Sequence, residues 1–475
     1  MRLLRMLFKR VLLKRMLSKQ TNALCIRLAN TLMLVMLALS SSLLIIDTAQ
    51  ANPFFVGRFS GLLGGPFDDS AFSLYWNPAN LYSKKSKFDL HVGIISRQAS
   101  YNRYLDASSS DAMNESEMID PAVAAANGGL STTSALGAIP SLAFHSGLDL
   151  SSDLKLGFGA GLYIARAGTA DWDRDPEASS QYPGAYDGPQ RWSALSTFML
   201  LTNYAGGISL SYNRISVGAA LSYVDATLST TKAANADKSD DLTNPDGELK
   251  EGRIFLDGAR GNNFHATVGL NIDLDDFDVA YAWRAPVVYQ LTGTAYVLYA
   301  NASESEATAQ IELQVAESHL ASVAYTVGPV RFRGEYERQM WSIMDQQQIL
   351  NTDQLDEAGN PRELLLLERN FQDTNAYRLR LDYTVSDKLM INTGISYEDG
   401  VTLEEYHEPG LAEAEQIEVG LGAQFPLTNR LSLNASFFYQ YFFDRTITNS
   451  KQSPTTNGEY TDHRQYLTLN LSWSL

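Results

Sequence analysis

The sequence predicts an all-β fold, a transmembrane antiparallel β-barrel of about fourteen strands with an N-terminal plug inside the lumen. Three observations predict it. From residue 87 onward, apolar residues recur at every second position, the period of a strand with one buried face. Such segments follow one another about fourteen times, each roughly ten residues or longer, which is what a tilted strand needs to cross a bilayer. The connections between them alternate between short and long.

The first fifty residues read as an address rather than as fold. Arg2, Arg5, Lys9, Arg10, Lys14, Arg15, Lys19 and Arg27 form a basic head, the run Leu28 to Ile46 is uncharged, and Ala49-Gln50-Ala51 offers a signal-peptidase site. Residues 1–51 are therefore expected to be a signal peptide. A retained membrane anchor is the competing reading, and the apolar run only just reaches spanning length for that. The whole chain carries a net charge of -17. Loss of the leader would remove eight basic residues and Asp47, leaving about -24. Such an acidic chain argues against a nucleic-acid partner, which needs a basic face. The one cysteine, Cys25, lies in the leader, which excludes a disulfide framework, a zinc–cysteine site and an iron–sulfur site.

Residues 52–86 do not alternate. They contain Asn52-Pro53-Phe54-Phe55, Gly57, Gly61, Gly64-Gly65-Pro66, Asp68-Asp69 and Tyr75-Trp76-Asn77-Pro78-Ala79-Asn80-Leu81. This is compact turn chemistry rich in aromatics. A free tail should be more polar, so the segment suits a plug.

The barrel follows over 87–475. In one segment Leu431, Leu433, Ala435, Phe437, Tyr439, Tyr441 and Phe443 alternate with Ser432, Asn434, Ser436 and Gln440; in another Leu467, Leu469, Leu471 and Trp473 alternate with Thr468, Asn470 and Ser472. Short connections fall at 149–152, 214, 275–276, 328–329, 386–387 and 426–429. Long ones fall at 102–138, 169–201, 232–259, 295–308, 348–369, 403–410 and 448–457. Short turns on one rim and long loops on the other mark a bacterial outer-membrane barrel with periplasmic turns and extracellular loops. A soluble sandwich or propeller should have shorter strands and no such alternation. The face opposite the apolar stripe is Gly, Ser, Asn and charged residues, and is expected to line a wet lumen.

The run Asp68-Asp69, six further residues, then Trp76-Asn77-Pro78-Ala79, just before the first strand, resembles the hatch of the FadL-type outer-membrane transporters of long-chain fatty acids and hydrophobic compounds. Asn77, Pro78 and Ala79 fall on the hatch motif. Ile139 to Phe144 followed by Gly157 to Ala160 is similar to the family's second hairpin, and Ala376-Tyr377-Arg378 and Gly394 to Asp399 are similar to its late strands. The resemblance implies a hatch over 52–86 that a ligand moves, passive uptake of hydrophobic molecules, most fittingly long-chain fatty acids, and lateral release through the barrel wall. Its partners would be fatty acids or hydrocarbons, outer-membrane lipids and, during biogenesis, the barrel-assembly machinery. The alternative is a structural or interaction barrel without transport; an outer-membrane lipid hydrolase is a further one. Catalysis finds little support. The six histidines are scattered singly with no metal-ligand spacing, and no Gly-x-Ser-x-Gly elbow occurs. No cofactor is expected.

Candidate ligand contacts are apolar residues on an otherwise polar inner face: Tyr163, Met390, Phe438 and Phe442. Packing against the plug is the competing reading. Phe54 and Phe55 can enter the same apolar site. The resemblance places a wall opening at a kink in the third strand, where Arg166-Ala167-Gly168 matches and Gly168 permits a break. It also matches Lys232 to a basic residue beside a ligand carboxylate; a solvated loop lysine is the alternative. Trp192 to Leu201 is either a greasy loop helix or an extension of the fourth strand. Arg331, Arg333, Glu335 and Glu337 have period two and read as a lumenal charge ladder.

Overall fold

The computed structural model describes residues 57–105, 121–175, 177–178, 181–298, 304–411 and 413–475. The leader 1–51 and the pair Phe54-Phe55 lie outside these residues. Among the described residues, hydrogen-bonded segments form one closed antiparallel sheet. Several successive segments are halves of one strand interrupted by a bend, so the barrel has fourteen strands.

In chain order these are β1 (Lys87–Arg103), β2 (Gly129–Asp149), β3 (Leu154–Asp171), β4 (Ser196–Tyr212), β5 (Ile215–Ala234) and β6 (Gly252–Leu274). Four bent strands follow: β7 (Phe277–Arg284 and Val287–Leu298), β8 (Glu304–Val315 and Ser318–Val327), β9 (Val330–Gln339 and Gln346–Leu355) and β10 (Pro361–Glu368 and Thr374–Ser386). The last are β11 (Leu389–Glu398), β12 (Gln416–Pro426), β13 (Leu431–Phe442, continued as Arg445–Ile447) and β14 (Gly458–Ser474). β1 closes the barrel by pairing along its whole length with β2 on one side and β14 on the other.

Alternation decides which side chains meet lipid. On β1, Phe88, Leu90, Val92 and Ile94 point outward, while Asp89, His91, Ile95 and Arg97 are buried inside. Toward the long loops the outward positions turn polar: Ser96, Gln98, Ser100 and Asn102 on β1, and Gln465, His463, Thr461 and Glu459 facing them on β14. The strands therefore run well past the lipid band. This corrects the sequence reading at several strand ends, three of which bear on the site. β2 begins at Gly129, where the sequence suggested a loop to 138; β5 runs to Ala234, so Lys232 is a strand residue and not a loop residue; and β3 continues through Gly168 to Asp171. Above the membrane both faces of a strand are polar, and the period-two signal disappears although the strand does not. Of the stretch Trp192 to Leu201, Trp192 closes a 3-10 turn (Pro189–Trp192) and the rest from Ser196 extends β4.

Depth along one outward row gives a direct check. Leu433→Arg, in the lipid band, is expected to cost about 2–4 kcal/mol of barrel stability, while Gln465→Arg, also outward but above it, should cost about 0–1 kcal/mol. Heat-modifiability gels and urea titration read both, and equal costs would contradict this register.

Candidate functional site

Residues 57–81 lie inside the barrel ahead of β1. They form two 3-10 turns (Gly61–Leu63 and Pro78–Asn80) and one helical turn (Ser73–Trp76). Phe59, Ala71, Phe72, Leu74, Tyr75, Trp76 and Leu81 are buried against Ala143, Tyr163, Ala205, Ala220, Ala282 and Leu320 of the inner wall. Phe59 stacks on Phe72 at 5.0 Å and meets the edges of Tyr75 and Tyr163 at 5.1 and 5.3 Å.

The backbone of this plug is irregular, so the wall supplies its partners. Arg333 Nη2 donates to Leu62 O at 2.6 Å, and Arg380 Nη1 donates to Gly64 O. Asn434 Nδ2 donates to Ser60 O at 2.5 Å, Ser436 Oγ accepts from Leu62 N at 3.1 Å, and Asp89 Oδ2 accepts from Ala71 N at 2.8 Å. Asn77 is fully buried; its side chain accepts from Ala79 N at 3.1 Å and donates to Pro66 O at 3.0 Å and to Leu270 O of β6 at 3.1 Å. One asparagine thus caps the Pro78 turn, ties it to the Gly-Gly-Pro corner and pins both to the wall. The wall yields room at glycines. A Cβ at Gly218 would lie 2.3 Å from Pro78 O, and one at Gly269 would lie 1.8 Å from Asn77 Oδ1. The glycine-rich inner face, read from the sequence as the lining of a wet lumen, is in these strands the seat of the plug.

On the long-loop side of the plug the lumen has two unlike halves. The wall from β4 to β9 is apolar: Met199, Leu201, Val224, Leu256, Tyr289, Leu291, Ile311, Leu313 and Ile349 form one buried cluster. The wall from β9 round to β1 is ionic. Glu337 receives Arg284 at 3.1 Å and Arg378 at 2.8 Å; Arg333 pairs with Asp382 at 2.9 Å; Asp462 receives Arg97 and Arg464, both at 2.9 Å; and Arg58 of the plug pairs with Glu418 at 2.7 Å. A polar cavity of about 40 Å³, room for a water or two, lies among Arg58, Arg378, Glu398, Glu413, Gln440 and Arg464.

Arg166 stands where these regions meet. It projects inward from β3 at a β-bulge between Ile164 and Arg166, and its guanidinium lies 5.1 Å over the Trp341 ring. Its Nη1 is buried without a hydrogen-bond partner, and among the described residues Arg166 forms no ion pair.

Beside the bulge the wall is incomplete. β2 and β3 pair only from Leu142–Leu162 down to Asp149–Lys155, although β2 pairs with β1 up to Gly129 and β3 with β4 up to Asp171. The two edges meet again where Thr133 Oγ1 donates to Asp171 O at 2.7 Å. Between these points the edges carry small residues: Ala135, Gly137 and Ala138 on β2, Ala165, Ala167 and Gly168 on β3. Gly57 N donates to Ala165 O at 2.9 Å, and Ile139 and Ala167 beside the opening pack on the buried cluster of Leu62, Ile95, Phe438 and Tyr466.

The residues singled out from sequence are not all together. Tyr163 packs on the plug, with its hydroxyl 3.2 Å from Ser222 Oγ. Phe438 packs on Leu62. Phe442 is buried higher, under the Arg464 guanidinium at 4.3 Å. Gly168 lies on the edge of the opening, but the backbone irregularity is at Ala165. Lys232 is buried near the outer end of β5, in electrostatic contact with Glu408 and Arg369. Arg166, Arg333 and Arg380 were missed as site residues. Arg333 carried a signal in its period-two charge run, and Arg166 a weaker one as an arginine interrupting an Ala/Gly stretch.

Residues 59–473 match the family model described as outer membrane protein transport protein (OMPP1/FadL/TodX). Among solved structures, a Pseudomonas aeruginosa FadL homologue is similar with a TM-score of 0.68 at 13% identity, covering 90% of this chain and 99% of that one. The Ralstonia pickettii toluene transporter TbuX is similar with a TM-score of 0.60 at 14% identity, covering 90% and 99%. The P. putida toluene transporter TodX has a TM-score of 0.59 at 14% identity, covering 86% and 94%. No curated protein sequence matches.

Two outcomes follow from this geometry. Gly269→Ala should unseat the Asn77 turn at about 1–3 kcal/mol, the cost of overpacking; limited proteolysis is expected to release residues near the N-terminus while the barrel stays heat-modifiable, and an unchanged digest would refute the contact. Burial pushes the Glu413 carboxyl, in the loop before β12, up to about 8 from 4.5, with Arg464 at 3.8 Å pulling the other way. A raised acid stabilises the closed loop fully below its ordinary range and ceases to do so as pH rises through that value. Hydrogen-exchange protection over 401–411 should fall between pH 5 and pH 9 and lose that dependence in Glu413→Gln.

Proposed function

The chain belongs to the OMPP1/FadL/TodX family of outer-membrane transport proteins, and from that premise we propose that the hydrophobic compounds it carries are long-chain fatty acids, gated by the plug and released sideways. That it is an outer-membrane β-barrel transporter of hydrophobic compounds follows from the family; substrate and gating are our reading.

The observation that carries it is Arg166. A half-buried arginine whose Nη1 is buried and unpartnered, next to an apolar wall, suits an amphiphile with an anionic head. A neutral hydrocarbon would leave that charge unpaired, at a desolvation cost. Lys232, the basic residue suggested by the resemblance, already has Glu408 near it and is proposed as a second, outer contact. In this reading displacement of the plug, with Asn77, Pro78 and Ala79 as its pinned turn, withdraws Gly57 and Phe59 from β3 beside the opening. Tyr163, Phe438 and Phe442 meet the ligand only after that shift, and the ligand leaves past Gly168 into the outer membrane.

The test compares an acid with a hydrocarbon. Arg166→Gln is expected to weaken palmitate binding by about 10- to 100-fold, the loss of one charge-assisted hydrogen bond, with toluene passage unchanged. Equal effects on both, or none on palmitate, would remove the carboxylate seat. Asn77→Ala with Pro78→Ala should alter palmitate uptake at unchanged surface level; uptake at the parent rate would return the reading to a barrel without a gated hatch.

A further inference from the structure

The outer wall carries a second feature that the lumen does not use. On the outward face of β4, β5 and β6 the lipid band ends in an aromatic row: Tyr204 lies 6.2 Å from Tyr223, and Tyr223 is 5.7 Å from Phe264. Two positions further up, the next outward row is polar, Thr202, Asp225 and Asn262; the one above it holds Leu200, Thr227 and Arg260. Arg260 is exposed and forms no ion pair or hydrogen bond among the described residues.

Above Arg260 the same face becomes concave, an open groove of about 730 Å³. β-bulges in both partners, at Leu228/Thr230 of β5 and at Asp257/Arg260 of β6, bend the sheet there. Two outward rows line the groove. One runs Asp171, Ser196, Thr231, Phe255, Tyr296 across five strands; the other runs Thr169, Phe198, Ser229. Phe198 and Tyr296 are 42% and 39% exposed although they stand above the lipid. The hydroxyls of Thr169, Ser196 and Thr231 and the carboxylate of Asp257 have no hydrogen-bond partner among the described residues.

We propose that this groove on β3–β7 binds the core sugars of lipopolysaccharide in the outer leaflet. Exposed rings ringed by hydroxyls and a carboxylate match a polyhydroxylated ring, whose apolar face stacks while its edge hydroxyls donate and accept. The order along the wall matches the order along one glycolipid: acyl chains against the apolar band, acidic phosphate and sugar-acid groups at the height of Arg260, neutral sugars in the groove. At about 3.3 Å per residue and a tilt near 40°, the groove begins about 15 Å above the aromatic row, where core sugars rather than acyl chains are found. The inference rests on the outer wall alone, so palmitate uptake does not bear on it.

The test titrates the purified full-length barrel in detergent with core-bearing lipopolysaccharide and with lipid A lacking core sugars, reading bound glycolipid by native mass spectrometry. The parent protein is expected to bind the core-bearing form about tenfold more tightly, the worth of two ring contacts. Phe198→Ser with Tyr296→Ser should bind both forms alike, and Arg260→Glu should weaken both together. Equal binding of the two glycolipids by the parent would overturn the proposal without any variant. So would a double variant that keeps the preference, or displacement of bound glycolipid by palmitate but not by free core oligosaccharide, which would make the groove a landing site for substrate.

Discussion

A stretch of irregular backbone can be kept inside a barrel only if the wall satisfies its N–H and C=O groups. Much else in this molecule follows from that constraint. The carbonyls of Ser60, Leu62, Gly64 and Tyr75 each take a donor from an inner-wall side chain: Asn434, Arg333, Arg380 and Arg284. Arginines buried for this purpose need counter-ions, so Asp382, Glu335 and Glu337 stand beside them. Buried ion pairs return little net stability. Here they fix the direction of donors that the plug requires, and that is reason enough for so many charges in one half of the lumen.

The division of the lumen is then a consequence of where the plug is tied. Most of its backbone groups bond to β9 to β14 and β1, Tyr75 O on Arg284 of β7 being an exception, and most of its aromatic side chains face β1 to β8. Past the plug, the wall on the aromatic side is free to be apolar, and from β4 to β9 it is. Arg166 is the exception that crosses from one regime to the other. It leaves β3 at the bulge, and its ring partner Trp341 sits in the bend of β9. A cation resting on an aromatic face in this way recovers part of its burial cost, and its unpartnered Nη1 is left for an anionic guest.

How much of this was legible in the sequence depended on whether one face or two had to be read. Within the lipid band, Leu433 and Leu469 alternate with Asn434 and Asn470, and strand, face and register were plain. Above the band, Leu130 to Gly137 and Lys232 sit in strands whose two faces are both polar or both mixed, and the period vanished. The plug motif at Asn77 was visible as turn chemistry, but its seat was not. Gly218 and Gly269 read as the small residues of a wet channel, since a glycine says that something comes close without saying what. Pro140, in the middle of β2, was the available sign that the ladder with β3 ends nearby, because a proline in a strand belongs at an edge. The groove above Arg260 had no sequence signature, since its lining comes one or two residues at a time from five strands.

An opening between strands is costly in a membrane protein, because unpaired backbone facing lipid has no water to bond. The edges of β2 and β3 reduce that cost piece by piece. Pro140 has no N–H to leave unpaired. Ile164 N reaches Ser141 Oγ at 3.5 Å, the bulge at Ala165 turns the edge inward, and the carbonyl of Ala165 is taken by Gly57 N of the plug. Small residues lie along both edges, and Gly57 of the plug bonds to one of them from within. The plug is thus a partner to the weakest part of the wall as well as an occupant of the lumen. Any motion that withdraws residues 57–59 removes the Gly57 hydrogen bond to Ala165 and the Phe59 contact with Tyr163 from the same strand at once, so the state of the plug and the state of the opening are linked through shared contacts.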